Sequence, residues 1–317
     1  MAITAATKRS DFEGFLSPAD SAPIFNDAQR LSAFQRLFRR VPLGINGQNI
    51  PIITNKPTAN WVGEGGSKPS TNMGLGKLTI KPEKLAAIAV FSTEVVRANP
   101  GGIMSLIRPA LSEAFAVAFD YAVGFNLGGD GTGTGPFSTH ALSNATKAVT
   151  LGTTTQANGG IHGDLTQALD LLIADKKKLT GWAFGDEMEP KLWGAVDSSG
   201  RPLYAELAYD QEAAVLAQNG QAPARSGMIL NRPSWMGEGV SNGTTLGFAG
   251  DYTKGAWGAV GGISYRVSTE ATVTINGQLT SLFEDNLVAI LAEAEYGYVN
   301  ADVDAFVKLN EDAGEQG

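Results

Sequence analysis

Cysteine is absent from the 317 residues, so the chain can build no disulfide framework, no thiolate nucleophile and no Cys-containing zinc or iron–sulfur site. Histidine is nearly absent too. His140 and His162 are the only two, which excludes a multi-histidine metal centre and leaves a Ser–His–Asp triad only these two to draw on. Both read as ordinary loop histidines. No apolar run approaches the length of about 18 residues that a helix needs to cross a bilayer, the longest being Leu85 to Phe91 and Leu287 to Ala292. The N-terminus, Met1 to Arg9, lacks the apolar core of a signal peptide, and the expectation is a chain made and used in solution, away from any membrane. Positive charge is in deficit: 24 Lys and Arg against 32 Asp and Glu give a net −8, the wrong sign for a protein that grips a phosphate backbone over an extended surface.

What is present is glycine, 39 of 317 residues against a usual share of about 7%, with no collagen-like period. That predicts many turns and irregular loops. Length predicts about two domains. A hydrophobic share of 43% and a charged share of 18% predict a chain that folds.

Residues 1 to about 45 read as an irregular arm, punctuated by Gly14, Pro18 and Pro23, that ends in a short helix presenting Leu31, Phe34, Leu37, Phe38 and Val41. Its basic residues, among them Arg36, Arg39 and Arg40, give a local excess of +2, so small that a solvated helix face is the preferred reading over a contact with an acidic partner or nucleic acid. From Ile50 the pattern turns to short β-type runs around Gly63–Gly66, returning through Lys77–Lys81: a long hairpin whose apolar face must rest on the body of this chain or on a neighbour. Between Gly101 and Phe125 apolar residues recur every three or four positions, predicting an amphipathic helix in which Pro109 marks the first turn or a kink. The following Gly128–Pro136 run lacks the lysine and the spacing of a phosphate loop and reads as a helix stop and turn. Asp164 is the expected N-cap of a second helix through Lys178, with Lys176, Lys177 and Lys178 at its C-terminus. Asp197–Tyr204 reads as a turn entering another short element. β-Type patterning returns from Leu246, and Asn286–Val299 reads as a last strand pair. Helices and strands mix without a βαβ rhythm, which predicts an α+β fold.

No catalytic constellation stands out. The carboxylate pairs Glu187/Glu189, Glu293/Glu295 and Asp302/Asp304 have the residue types for glycoside hydrolysis, but paired charges along a strand are far more often solvated, and the calcium-loop signature is absent near Asp302. The expectation is a non-enzyme with no catalytic residues, no metal and no cofactor.

Four stretches in order resemble the major capsid proteins of tailed bacteriophages, the Hong Kong 97 type of shell protein. They are Ala59–Gly65 followed by Leu78–Ala87 and Phe91–Val96; the long helix ending Asp120–Gly131 with Gly135-Pro-Phe beyond; Asp197–Tyr204 with Phe248–Tyr252 and Val260–Ser268; and Phe283–Val299 with Ala305–Leu309. Together they cover about residues 45 to 310. The resemblance implies a Hong Kong 97-like α+β fold: an N-terminal arm (1–48), an extended loop (49–91), a peripheral domain whose first part holds the spine helix (92–160), an axial domain (161–274) and a second peripheral part (275–317). It implies a structural protein that self-assembles through pentamers and hexamers into an icosahedral shell around double-stranded DNA, held without sequence-specific binding, in a virion put together in the host cytoplasm.

Inter-subunit contacts are then expected from Trp61, Glu64, Lys68, Lys77, Lys81, Glu83 and Lys84 in the extended loop and from Arg36, Arg39 and Arg40 in the arm. Many members begin with a helical scaffolding segment of about a hundred residues; the short arm and Met1 here imply a separate scaffolding protein, alongside a portal and optional decoration proteins. Some members cross-link lysine to asparagine, for which Lys68 and Asn300 are the candidates, although ordinary contacts with acidic neighbours are the expectation for loop lysines. An encapsulin compartment shares the fold and differs in cargo, and a sheet-rich carbohydrate-active enzyme is the alternative from another class.

Overall fold

The computed structural model describes residues 31–55, 57–94, 100–155, 158–195, 205–206, 225–275 and 277–312. The first 30 residues of the arm and the expected turn at 197–204 lie outside them. The elements in chain order are α1 (Ala33–Leu37), β1 (Arg39–Arg40), β2 (Gln48–Asn55), β3 (Gly74–Ile80), β4 (Glu83–Ser92), α2 (Pro100–Phe125), β5 (Lys147–Leu151), α3 (Ile161–Ala174), β6 (Gly181–Phe184), α4 (Glu189–Trp193), β7 (Ala205–Glu206), β8 (Ser226–Ile229), β9 (Arg232–Met236), β10 (Thr245–Gly250), β11 (Gly255–Ala259), β12 (Ser264–Ser268), β13 (Thr272–Ile275), β14 (Gln278–Ser281), β15 (Leu287–Asn300) and β16 (Phe306–Glu311).

Two larger sheets organise the chain, as an α+β reading requires. In the five-stranded sheet β15 is the hub: β4 pairs along one edge from Leu287↔Ser92 to Tyr296↔Glu83, while β12 and then β11 pair along the other, with β1 beyond β11. The sequence reading of 286–299 as a strand pair gives way to one unbroken strand. Gly297 is the reason. It looks like a turn residue, yet a Cβ there would lie 2.4 Å from Ile80 Cγ2 and 2.7 Å from the Lys81 carbonyl, so glycine serves a close approach of backbones and not a reversal.

The seven-stranded sheet runs β5-β16-β10-β6-β9-β8-β7. β16 inserts between β5 and β10, although the resemblance grouped Ala305–Leu309 with the closing strands that follow Phe283. A turn at 301–305 carries it over, with Asp251 N donating to the Ala305 carbonyl and the Phe306 ring lying where a Cβ on Gly250 would be. Conversely, β11 and β12, from the stretch expected to be axial, lie in the five-stranded sheet.

The expected long helix is α2, 26 residues or roughly 39 Å, with Pro109 inside it. Its inward stripe of Ile107, Leu111, Phe115, Phe119 and Ala122 repeats every three or four residues and packs on the five-stranded sheet, Phe119 meeting Tyr296 at 5.5 Å and Trp257 at 5.7 Å between ring centres. The helix stops at Asn126, which has φ 56°, and the glycine run folds back on it: Gly135 N donates to Asn126 O, where a Cβ would strike the Leu127 carbonyl at 2.5 Å. Among the described residues no helix is long and apolar enough to cross a membrane.

α3 starts earlier and stops sooner than expected. Gly160 precedes its first residue, so Asp164 is a first-turn residue and not the N-cap. Its buried carboxylate instead accepts from Gly152 N at 2.8 Å, Thr154 N at 3.2 Å and the hydroxyls of Thr153 and Thr154, tying the exit of β5 to the helix. The lysine run lies beyond the helix end. Lys176 adopts φ 57°, and Lys177 forms an ion pair with Asp302.

Candidate assembly surfaces

β2 and β3 form an antiparallel hairpin, Gln48 opposite Ile80 and Ile53 opposite Leu75, with residues 57–73 beyond it. Alternation along the strands sends Ile50, Ile52, Leu78 and Ile80 to one face and Ile53, Leu75 and Lys77 to the other. Only the foot of the first face is covered, where Ile80 packs with Leu43, Ala256 and Val299. On the second face the cross-strand pair Ile53 and Leu75 is 60% and 71% exposed, and Trp61 in the connecting loop is 104% exposed. Large apolar side chains gathered on one projecting element are the mark of a surface that another molecule covers.

Of the residues expected in inter-subunit contacts, Trp61, Glu64 and Lys68 lie in that loop, Lys77 on the outward face of β3 and Lys81 in the turn after it, all exposed. Glu83 and Lys84 are separate from the hairpin. They open β4, at the edge of the body, and Lys84 Nζ already pairs with Glu293 Oε1 at 3.0 Å in its own chain. The arm arginines are divided as well: the Arg36 guanidinium lies 4.9 Å over the Trp235 ring and that of Arg40 5.5 Å over Trp257, while Arg39 is exposed opposite Ala256.

Asn300 is 4% exposed. Its side-chain oxygen accepts from Asp302 N at 3.1 Å, its carbonyl faces His140 Nδ1 at 3.0 Å, and it pairs with Gly255 in the sheet. Within one chain Asn300 is thus buried and tied into the sheet, while Lys68 is exposed in the loop. Four of the six carboxylates weighed for catalysis are engaged in internal ties: Glu189 with Arg225, Asp302 with Lys177, Glu293 with Lys84, and Asp304 accepting from Thr146 Oγ1. Among the described residues no group of three or more His, Asp or Glu could hold a metal ion.

Two features escaped the sequence reading. Asp120, on the buried side of α2, accepts from Ser32 Oγ at 2.6 Å, Ala33 N at 3.0 Å and Phe34 N at 3.2 Å, and so caps the start of α1 from another element. Burial pushes its carboxyl up to about 7 against the opposing pull of these three hydrogen bonds. An acidic residue directly beside the buried Phe119 on a helical stripe was the available signal. From that anchor α1 sends Phe34 against Phe248 of β10 and Phe38 against Tyr298 of β15 and Phe306 of β16, welding one sheet to the other.

The second feature is a cavity of about 140 Å³ between the end of α2, the glycine turn and the start of β4. Leu85, Phe119, Ala122, Leu127, Phe137 and Tyr296 wall it, and Glu83 stands at its mouth.

The phage capsid family matches this chain over residues 13–310. The chain is 39% identical to the probable major capsid protein gp17 of Mycobacterium phage L5, over 98% of this chain and 94% of that one. It is 38% identical to the corresponding protein of Mycobacterium phage D29, over 96% and 92%. A solved structure from Gordonia phage Cozz superposes with a TM-score of 0.66 at 23% identity, covering 89% of this chain and 87% of that one.

Proposed function

The chain belongs to the phage capsid family, and from that premise, which makes it a shell protein of the Hong Kong 97 type, we propose how it builds the shell. Copies associate head to tail through the β2–β3 hairpin into pentamers and hexamers, which close an icosahedral container around double-stranded DNA. The observation that carries this reading is the hairpin itself: Ile53, Leu75 and Trp61 stand in solvent on an element anchored only at its foot, an arrangement that gains stability from a neighbour. Residues 1–48 act as the arm, 49–91 as the extended loop, 161–274 as the axial domain and the flanking segments as the peripheral domain. Trp61, Glu64, Lys68, Lys77, Lys81, Glu83, Lys84, Arg36, Arg39 and Arg40 contribute contacts between copies.

The net charge of −8 suits a container that must fill and empty, since a strongly basic lining would retain the genome. Assembly takes place in the host cytoplasm on a separate scaffolding protein, with a portal at one vertex and decoration proteins where present, and the protein has no enzymatic step of its own. Electron microscopy of the chain expressed with its neighbouring genes tests the proposal. Closed shells tens of nanometres across that hold DNA are the expected result; monomers or small rings with every scaffold candidate present overturn it, and an enzyme cargo in place of DNA moves the reading to an encapsulin compartment.

A further inference from the structure

Trp61 is fully exposed and takes part in no ring contact among the described residues. It lies six residues past the end of β2, which at about 3.4 Å per residue carries the chain roughly 27 Å from the hairpin foot. The cavity walled by Phe119, Phe137 and Tyr296 lies at that foot, since Glu83 at its mouth comes three residues after the end of β3. Trp61, fully exposed and absent from the cavity wall, does not fill the cavity of its own chain.

The two are matched in size and charge. An apolar cavity of about 150 Å³ accepts a benzene-sized ring, so this one, about 140 Å³ between aromatic walls, takes the six-membered edge of an indole and leaves its N–H edge outside. Lys68, seven residues beyond Trp61, and Glu83 are both exposed, and neither takes part in an ion pair among the described residues. We infer that Trp61 of one copy seats in the cavity beside Glu83 of the next, with Lys68 drawn to the Glu83 carboxylate. This rests on the shell reading above and names the partner surface within it. Because donor and acceptor patches differ, the contact is heterologous and repeats head to tail, the geometry that closes rings. A tryptophan desolvated at the centre of a contact is the residue type that most often dominates its energy.

The absence of cysteine makes the test direct. Thr134 lines the cavity and is exposed. Shells assembled from a mixture of Trp61→Cys and Thr134→Cys chains and then oxidised are expected to give a disulfide-linked dimer that neither variant yields alone. In the unmodified chain, acrylamide quenching of the five tryptophans should lose its most accessible component on assembly, and Trp61→Phe should lack that component before assembly. Trp61→Ala should raise the concentration needed for shells by at least about tenfold. Normal shells with no dimer and a tryptophan still open to quencher overturn the seating and leave the shell reading intact, whereas an unmodified chain that forms no shells with its scaffold takes down both. If the cysteine variants fail to assemble, the quenching of the unmodified chain decides.

Discussion

Ser32 and Asp120, 88 residues apart, share a hydrogen bond of 2.6 Å at which the arm joins the long helix. Ser32 Oγ accepts from Gln35 N and donates to the carboxylate, so one hydroxyl and one carboxylate together satisfy the first donors of α1. The joint is buried, and among the described residues no cation contributes to the shift of its carboxyl. Tyr252 senses the Asp120 charge, the adjoining segment presents Gly237 and Gly239 to it, and the one cation on α1, Arg36, is turned to Trp235.

That environment makes stability depend on pH. A carboxyl raised from 3.8 to about 7 in the folded chain contributes stability that is fully present below about pH 4 and is lost as pH rises through about 7. Three units correspond to about 4 kcal/mol at most. Asp120→Asn keeps one acceptor and turns an amide N–H2 toward a backbone donor, so it is less stable than the parent, but its deficit should shrink between pH 5 and pH 8. Urea denaturation of the unassembled chains at both pH values checks this; a deficit that widens with pH contradicts it.

Phe38 touches Tyr252, Tyr298 and Phe306, the last two belonging to different sheets. Phe38→Ala should cost about 3–5 kcal/mol and keep unfolding a single transition that lies at lower denaturant. Two separated transitions would show that the sheets hold together without this ring.

Gly297→Ala puts a methyl group against Ile80, the Lys81 carbonyl and Leu43, all within 3 Å of the new atom. Backbone cannot yield as a side-chain tip does. A loss of about 1–3 kcal/mol is expected, with faster proteolysis in the hairpin because its foot is displaced. Unchanged stability in thermal melts would contradict the close approach.

Asp164→Ala leaves Gly152 N and Thr154 N, both partly open to solvent, without their acceptor. The expected cost is about 1–3 kcal/mol, since water reaches the donors that lose the carboxylate. Asp164→Asn should recover part of it, and equal losses in the two variants would mean that space and not hydrogen bonding is at issue.

Much of the fold was legible because local patterns carried it. The spacing of Phe115, Phe119 and Ala122 marked α2, the alternation through Ile50–Thr54 and Lys77–Lys81 marked the hairpin, and the glycine run after Phe125 marked a turn. The errors have a common cause. Tyr-Gly-Tyr at 296–298 resembles a turn until Ile80 is seen to occupy the space of the missing Cβ, and Asp164 resembles a cap until Gly152 and Thr154 are seen to claim its oxygens. In each case the deciding neighbour is distant in sequence.

The same division holds for the candidate surfaces. Sequence alone determined that this chain has no thiol, no histidine-rich metal centre and no apolar helix long enough for a bilayer, and that a long hairpin belongs to an α+β fold, because composition and periodicity act over short stretches of chain. Only the tertiary structure decided that β16 crosses to the other sheet, that Asn300 is buried, that Asp120 holds the arm and that a cavity opens beside Glu83. Those depend on which residues meet across 80 to 200 positions of chain, and packing, unlike periodicity, has no local signature.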